Sequence, residues 1–220
     1  MNVLEDADGL ADLRRLGARS IPVLSRGDQW VFAQNIGHVV KFLGLNEATG
    51  PVLSPDQLIR RLDKFLTTAV RIIPQMPDGM LETEVPNRPR SYRVLGHHIF
   101  RIPEVFLDVA AGGTLTYESL AVTPPDDMRT SASIAAYGEA VRGKLMAWWD
   151  AKSDKSGKDT VQTYYGPQTL HEVLERTTWH SGQHVRQWHM LLGMAGIAPD
   201  GPLSDADFDK LPMPSSVWDG

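Results

Sequence analysis

The stretch TLHEVLERTTWHSGQHVRQWHMLLGMAG, residues 169–196, decides how this chain folds. Its apolar residues recur every three or four positions, which predicts one long helix opening with the capping-box pair Thr169 and Glu172. His180 and His184 are four residues apart on this helix, so their Cβ atoms lie about 5–6 Å from each other on one face. That spacing lets two imidazoles bind the same metal ion, since metal–nitrogen bonds of about 2 Å require the rings to converge.

The composition restricts both the site and the cellular setting. The 220 residues include no cysteine, so disulfides are excluded and any metal site must use nitrogen and oxygen ligands. A net charge of -5 and the absence of a basic cluster argue against a nucleic-acid partner. The N-terminus has neither the basic nor the apolar region of a signal peptide, and no apolar run approaches the roughly 18 residues of a membrane span. We therefore expect a cytoplasmic protein that acts on a small molecule, with no membrane partner.

Three further amphipathic helices precede the long one. The four helices are predicted at residues 57–73, 91–111, 131–152 and 169–196. Ser54 and Pro55 form a start signal for the first of them, with proline at the first helical position. Four helices that each carry an apolar stripe predict a mainly α protein, with a four-helix bundle over residues 54–200 and a C-terminal tail at 201–220.

The rotational position of each histidine on its helix selects a third metal ligand. The second helix has a buried stripe of apolar residues, namely Leu95, Ile99, Ile102, Phe106 and Val109. His98 lies at the margin of that stripe and so points into the bundle, whereas His97 is turned another 100° away. On the last helix, His171 and His189 each lie nine residues from His180, which places them on the opposite side.

Three inward imidazoles allow two interpretations. The first is a metal centre made of His98, His180 and His184, because bundle cores commonly hold metals between facing helices. The second is a set of core histidines that are each satisfied by a carboxylate or a backbone carbonyl, since burial without either partner is costly. In the first case the ion keeps its full charge and an open position, which is typical of a catalytic site. Zinc is the first metal to consider, with nickel or iron(II) as alternatives, because all three accept imidazole.

The ligand pattern also resembles that of a known family. His98 followed by Ile99, and then His180, His184 and Gln187, resembles the DinB/YfiT-like family of four-helix-bundle metalloproteins. The resemblance extends over about residues 53–200 and implies a metal held by one histidine of the second helix and two of the last. The family includes enzymes that use low-molecular-weight thiols, among them mycothiol-dependent isomerases and bacillithiol S-transferases. The resemblance therefore implies transfer, isomerisation or hydrolysis of a small organic substrate.

Residues near the predicted ligands are candidates for substrate or thiol binding. Arg186 and Gln187 follow the ligands in sequence, and they either bind a substrate carboxylate or orient a ligand ring. Tyr164 and Tyr165 precede the last helix and act either as proton donors over the metal or as packing residues. The run HVRQ at 184–187 departs from the His-Arg-Gly-Gln that the family often shows, which affects only the residues around the ligands. No catalytic residue is assigned from the sequence.

Residues 1–45 differ from the bundle in the order of their elements, and residues 46–53 form a linker. The order is β-α-β-β-α, with strands predicted at 3–4, 20–24 and 29–32 and helices at 8–16 and 35–43. Pro22 lies where a cis peptide bond would bend the chain. With the run ARSIPV at 18–23 in that place, the segment resembles the C-terminal two-thirds of a glutaredoxin. It would be an incomplete thioredoxin-like unit without redox cysteines.

The glutaredoxin resemblance makes glutathione the first external thiol to consider as a co-substrate. It implies that Ile21, Pro22, Gln34 and Asn35 contact glutathione, although Phe32-Ala33 stands where the family usually has Gly-Gly. The alternative is a unit that only packs against the bundle or forms part of a homodimer interface. Two classes of function follow: a metal-dependent enzyme that activates water or an external thiol, and a non-catalytic metal- or ligand-binding stress-response protein.

Overall fold

The computed structural model of the protein describes residues 6–18, 21–33, 36–47, 49–86 and 88–218. The chain is mainly helical, as predicted. It divides into two compact units, Met1–Gly50 and Pro51–Gly220. Within the described residues, no helix combines the length and the apolar character that crossing a membrane requires.

The first unit contains two helices and a β-hairpin in its described part. These elements are helix α1 (Ala7–Arg15), strands β1 (Val23–Arg26) and β2 (Gln29–Phe32), and helix α2 (Ile36–Leu43). The strands are antiparallel, and the Ile21–Pro22 peptide bond is cis, as the sequence predicted. The predicted strand at residues 3–4 lies outside the described residues, so the thioredoxin-like assignment stays a prediction.

The second unit is built on four long helices. Its helices are α3 (Pro55–Ile72), α4 (Tyr92–Ala110), the short α5 (Tyr117–Leu120), α6 (Ser131–Ala151) and α7 (Leu170–Met194). Each long helix begins after a serine or threonine whose hydroxyl accepts a hydrogen bond from a backbone N–H three residues later; these capping residues are Ser54, Ser91, Thr130 and Thr169. Such caps satisfy N–H groups that have no partner within the helix, and they explain why the predicted helix starts are close to the observed ones.

Helices that follow each other in sequence are not always neighbours in the bundle. Helix α3 packs against α6 and α7, and α4 packs against the same two helices. Consequently α3 and α4 occupy one diagonal of the bundle, and α6 and α7 occupy the other. This arrangement places α4 directly beside α7.

Glycines allow aromatic rings to lie against helix backbones at the crossings. A Cβ atom at Gly138 of α6 would lie 2.3 Å from the ring of Phe100 on α4. A Cβ atom at Gly182 of α7 would lie 2.6 Å from the ring of Phe65 on α3. Both rings are fully buried. The core therefore depends on these two positions having no side chain.

Short segments complete the second unit at the start of α7. Strand β3 (Thr114–Leu115) pairs in parallel with β4 (Thr160–Thr163), which pairs antiparallel with β5 (Gln168–Thr169). This small sheet connects the segment around β3 and α5, which packs against α4, to β5 at the start of α7.

Candidate metal centre

The rings of His98, His180 and His184 come together between α4 and α7. The ring centroids of His98 and His180 are 5.5 Å apart, those of His98 and His184 4.9 Å, and those of His180 and His184 4.8 Å. One ring nitrogen from each residue lies within 4.8 Å of the other two. These are the three histidines that helical phase selects from the sequence.

Contacts beside the rings hold α4 and α7 together. The Ser181 hydroxyl donates a hydrogen bond of 3.2 Å to the Ile99 carbonyl, and both residues are next to ligand candidates in sequence. One helical turn after His184, the ring of Trp188 on α7 packs against Gly96 on α4, where it lies 3.1 Å from the position that a Cβ atom would have. Close packing on both sides fixes the distance across which the histidines face each other.

Gln187 fixes the tautomer of His184. The Nδ1 atom of His184 lies 2.7 Å from Oε1 of Gln187, and Nε2 of the same amide donates to the Val217 carbonyl at 3.0 Å. Because an amide oxygen only accepts hydrogen bonds, Nδ1 must carry the proton and Nε2 must present a lone pair. Nε2 of His184 is buried and has no hydrogen-bond partner among the described residues. An unpartnered buried lone pair is costly unless a metal ion or another donor occupies the space before it.

The surroundings keep the three imidazoles neutral. Burial, followed by the nearby charge of Arg90, lowers the pKa of His98 to about 4. Burial also holds the pKa of His180 and of His184 well below the ordinary value of histidine. The Leu120 backbone forms a hydrogen bond with His98, which matches the second partner that metal-binding histidines usually have. Neutral imidazole is the form that binds metals.

The donor set fits a divalent ion of intermediate softness. In the described part of the chain, the cluster consists of these three histidines and includes no carboxylate. Two nitrogens bound to one tetrahedral zinc ion are roughly 3.3 Å apart, so modest side-chain rotations would bring the rings to binding distance. Three imidazoles would leave at least one coordination position open. Zinc, nickel and iron(II) all remain compatible with these ligands.

A narrow cleft of about 10 Å³, room for roughly one water molecule, opens beside His180. Arg176 lies on its wall, four residues before His180 on the same helix. The guanidinium of Arg176 lies 5.1 Å from the centroid of the Tyr165 ring and receives further support from Tyr164, whose hydroxyl accepts a 3.3 Å hydrogen bond. The two tyrosines, for which the sequence left a proton-donor role and a packing role open, thus both contact Arg176. Sequence analysis missed Arg176, although its spacing from His180 was visible.

The structure places Arg186 away from the histidine cluster. Its guanidinium donates to Oε1 of Gln183 at 3.0 Å and to the Pro214 carbonyl at 3.2 Å, and it lies over the ring of Phe208. A role in binding substrate at the cluster, which the sequence suggested, does not match this position. The reason is helical phase, because Arg186 is two residues from His184 and so lies on another face. Gln187 occupies the place of a residue that orients a ligand ring.

The remaining histidines of the bundle lie outside the cluster. His171 Nε2 lies 2.8 Å from the Leu53 carbonyl, and His189 is half-buried. The prediction that His97 faces away from the bundle is wrong, since His97 is only 4% exposed and stacks on Tyr137 of α6. Helix α4 packs against both α6 and α7, so its buried surface is wider than the apolar stripe indicated.

The predicted glutathione contacts do not form a described site. Gln34 and Asn35 lie outside the described residues. Ile21 and Pro22 are both exposed. Glutathione binding by the first unit thus stays a prediction.

The fold and the site together define a class of protein: a four-helix bundle with a three-histidine cluster between two neighbouring helices, α4 and α7. No protein-family model matches the sequence, and no curated protein matches it. The chain is similar in structure to a DinB-like protein from Bacillus cereus, with a TM-score of 0.55 and 15% identity over 67% of this chain and 97% of that one. It is also similar to YfiT from Bacillus subtilis, with a TM-score of 0.55 and 18% identity over 70% of this chain and 96% of that one. YfiT is described as a probable metal-dependent hydrolase with an unusual four-helix bundle topology. The bundle therefore has the DinB-like fold.

Proposed function

We propose that the protein is a metal-dependent hydrolase of a small organic substrate, with His98, His180 and His184 as ligands of one divalent ion. The observation that carries the proposal is the buried Nε2 of His184, which has a fixed lone pair and no partner among the described residues. The description of YfiT as a probable metal-dependent hydrolase supports hydrolysis as the reaction. Zinc is the proposed metal, with nickel or iron(II) as the alternatives.

The side chains around the cluster perform three tasks in this proposal. The three neutral imidazoles hold the ion, and Gln187 keeps the His184 ring in the binding tautomer. A divalent ion held in this way supplies an open position and lowers the pKa of water towards neutrality. The cleft beside His180 has apolar walls that exclude bulk water, while Arg176 brings a positive charge to its edge.

An external thiol such as glutathione is the alternative nucleophile, and it rests on the sequence resemblances. Calorimetry with glutathione tests it. If glutathione is a co-substrate at the metal, it should bind the metal-loaded protein and bind the metal-free protein much more weakly. Equal binding to both forms, or none to either, would exclude the metal-thiolate step.

Activity after metal exchange tests the proposal. Protein prepared without a histidine tag would be stripped with a chelator, reloaded with zinc, nickel or iron(II), and assayed on a panel of small aryl esters, amides and lactones. Hydrolysis should follow metal loading and should disappear in the double variant His180→Ala/His184→Ala. The matched control is His189→Leu, which changes a histidine of the same helix outside the cluster. Hydrolysis that survives complete chelation would contradict the proposal, and a loaded protein inactive on the whole panel would favour a non-catalytic metal-binding role.

A further inference from the structure

We propose that Arg90 weakens the binding of the metal ion and strengthens the binding of an anion beside it, so that the centre takes up a cation and an anion together. The inference deepens the proposed function and rests on it, because it concerns the same three-histidine site. It is carried by the position of the Arg90 guanidinium next to Gln187, by its burial, and by the reach of its charge over the whole cluster.

Arg90 lies next to the amide that orients His184. One of its guanidinium nitrogens is 3.5 Å from Oε1 of Gln187, and the same oxygen is 2.7 Å from Nδ1 of His184. The path through the amide and the ring places the guanidinium within roughly 10 Å of an ion bound at Nε2 of His184. Water and salt screen this distance incompletely, because the Debye length is about 8–10 Å and screening is weaker for buried charges.

The guanidinium of Arg90 is partly desolvated without a negative partner. Its Nε is buried and has no hydrogen-bond partner, and among the described residues its one side-chain contact is the neutral amide of Gln187. Burial, followed by the charge of Arg88, lowers the pKa of Arg90, yet an arginine keeps its proton at neutral pH. A buried charge without a partner is costly, and an anion beside it would reduce that cost.

The reach of its charge distinguishes Arg90 from other arginines. Three more half-buried arginines lack an acidic partner in the described part of the chain, namely Arg61, Arg176 and Arg186. Burial is the main cause that lowers the pKa of the three candidate ligands, and the charge of Arg90 adds to the lowering in every one of them. Arg176 adds to it at His180, and the other two arginines donate to carbonyls of the C-terminal segment. Arg90 therefore acts on the cluster as a unit.

Two effects of Arg90 on metal binding oppose each other. Its hydrogen bond to Gln187 would hold the amide, but 3.5 Å is a weak contact, and the Val217 carbonyl already fixes the same amide at 3.0 Å. Repulsion between the guanidinium and a divalent ion does not depend on that contact. The repulsion therefore decides the net effect on the metal, whereas an anion at an open coordination position is attracted by both charges. Fixed positive charge of this kind also stabilises negative charge that develops during hydrolysis.

Opposite changes in two affinities test the inference. Competition with a chromophoric chelator would measure the zinc dissociation constant, and calorimetry with sodium azide would measure anion binding to zinc-loaded protein. We expect Arg90→Gln to bind zinc about 5–20-fold more tightly than wild type and azide about 3–10-fold more weakly. Arg90→Met, a second neutral variant, should behave in the same way. Arg90→Lys keeps the charge and should stay within about threefold of wild type in both constants.

Arg129→Gln is the matched control, because it removes the same charge from an exposed residue and should leave both constants unchanged. If Arg90 only supported the local structure, its neutral variants would bind zinc and azide more weakly together, and that result would overturn the inference. Unchanged constants in Arg90→Gln, or a zinc-loaded wild type that binds no azide, would overturn it as well and leave metal binding intact. A wild-type chain that takes up no zinc would instead overturn the proposed function and, with it, this inference.

Discussion

Gln187 connects the candidate metal centre to the end of the chain. Its amide oxygen accepts a hydrogen bond from His184, and its amide nitrogen donates to the Val217 carbonyl. Arg90 also lies 3.5 Å from the same oxygen, which supports this orientation of the amide. The ring of His184 is thereby held in one rotation and one tautomer before any metal arrives.

Replacing Gln187 should weaken metal binding without unfolding the protein. We expect Gln187→Ala to raise the zinc dissociation constant by about 10–100-fold, the usual effect of removing a partner of a metal-binding histidine. Gln187→Glu should retain most of the affinity, because a carboxylate also accepts from Nδ1. Competition with a chromophoric chelator measures the constants.

Gln183→Ala is the matched control for this change. Gln183 also donates to the C-terminal segment, at the carbonyls of Ser216 and Val217, yet it contacts no ligand ring. Its replacement should leave zinc affinity close to wild type. Equal losses in Gln183→Ala and Gln187→Ala would show that the C-terminal segment, rather than the hydrogen bond to His184, controls the affinity.

His189 should make the metal-free protein less stable in acid. Burial, followed by the charge of Arg71, lowers the pKa of His189, and its buried Nε2 lacks a hydrogen-bond partner in the described structure. As the pH falls below the unfolded pKa of about 6.5, the unfolded chain takes up a proton before the folded one does, so the free energy of unfolding falls. His189→Leu removes this loss. Urea unfolding of chelated proteins should therefore show that the free energy of unfolding of the variant rises relative to that of wild type as the pH falls from about 7.5 to 5.5. A difference between the two proteins that does not change with pH would contradict the assignment.

At the scale of the helices, close crossings explain which positions tolerate a side chain. Gly138 faces the fully buried ring of Phe100, whereas Gly143, five residues later on α6, is exposed and has open space around it. The same substitution should therefore have opposite effects at the two positions.

Gly138→Ala should destabilise the protein by about 1–3 kcal/mol, because the added methyl group has to displace the ring of Phe100. Gly143→Ala should stabilise it by up to about 1 kcal/mol, since alanine favours an exposed helix more than glycine does. Urea unfolding of the two variants measures both changes. No loss of stability in Gly138→Ala would show that α4 and α6 do not approach each other there as described, and a loss in Gly143→Ala would contradict the open space around Gly143.

The helices and the three ligand candidates were predictable because local rules govern them. Capping residues such as Ser54 and Thr169 mark helix starts, and a spacing of four residues places His180 and His184 on one face. The burial of His97 was not predictable, because it depends on α4 touching α6 as well as α7. Arg176 becomes a candidate only once folding forms the cleft around it. Both depend on which helices are neighbours, and the sequence pattern of a single helix does not contain that information.

At the scale of the whole molecule, the candidate metal centre belongs to one of the two units. All three histidines, Gln187 and Arg176 lie within Pro51–Gly220. A chain that lacks residues 1–50 should therefore bind zinc with the affinity of the full-length protein, as measured by the same chelator competition. A strong loss of affinity would show that the first unit contributes to the site.

Metal analysis of matched histidine variants tests the central claim most directly. Wild type, His98→Ala, His180→Ala, His184→Ala and the control His189→Leu would be loaded with zinc, dialysed and analysed by mass spectrometry of the metal, with helix content checked by circular dichroism. We predict one zinc ion per chain in wild type and in His189→Leu, and far less than one in each of the three ligand variants, all with native helix content. One full equivalent of zinc in a folded His98→Ala, His180→Ala or His184→Ala variant would contradict the three-histidine centre.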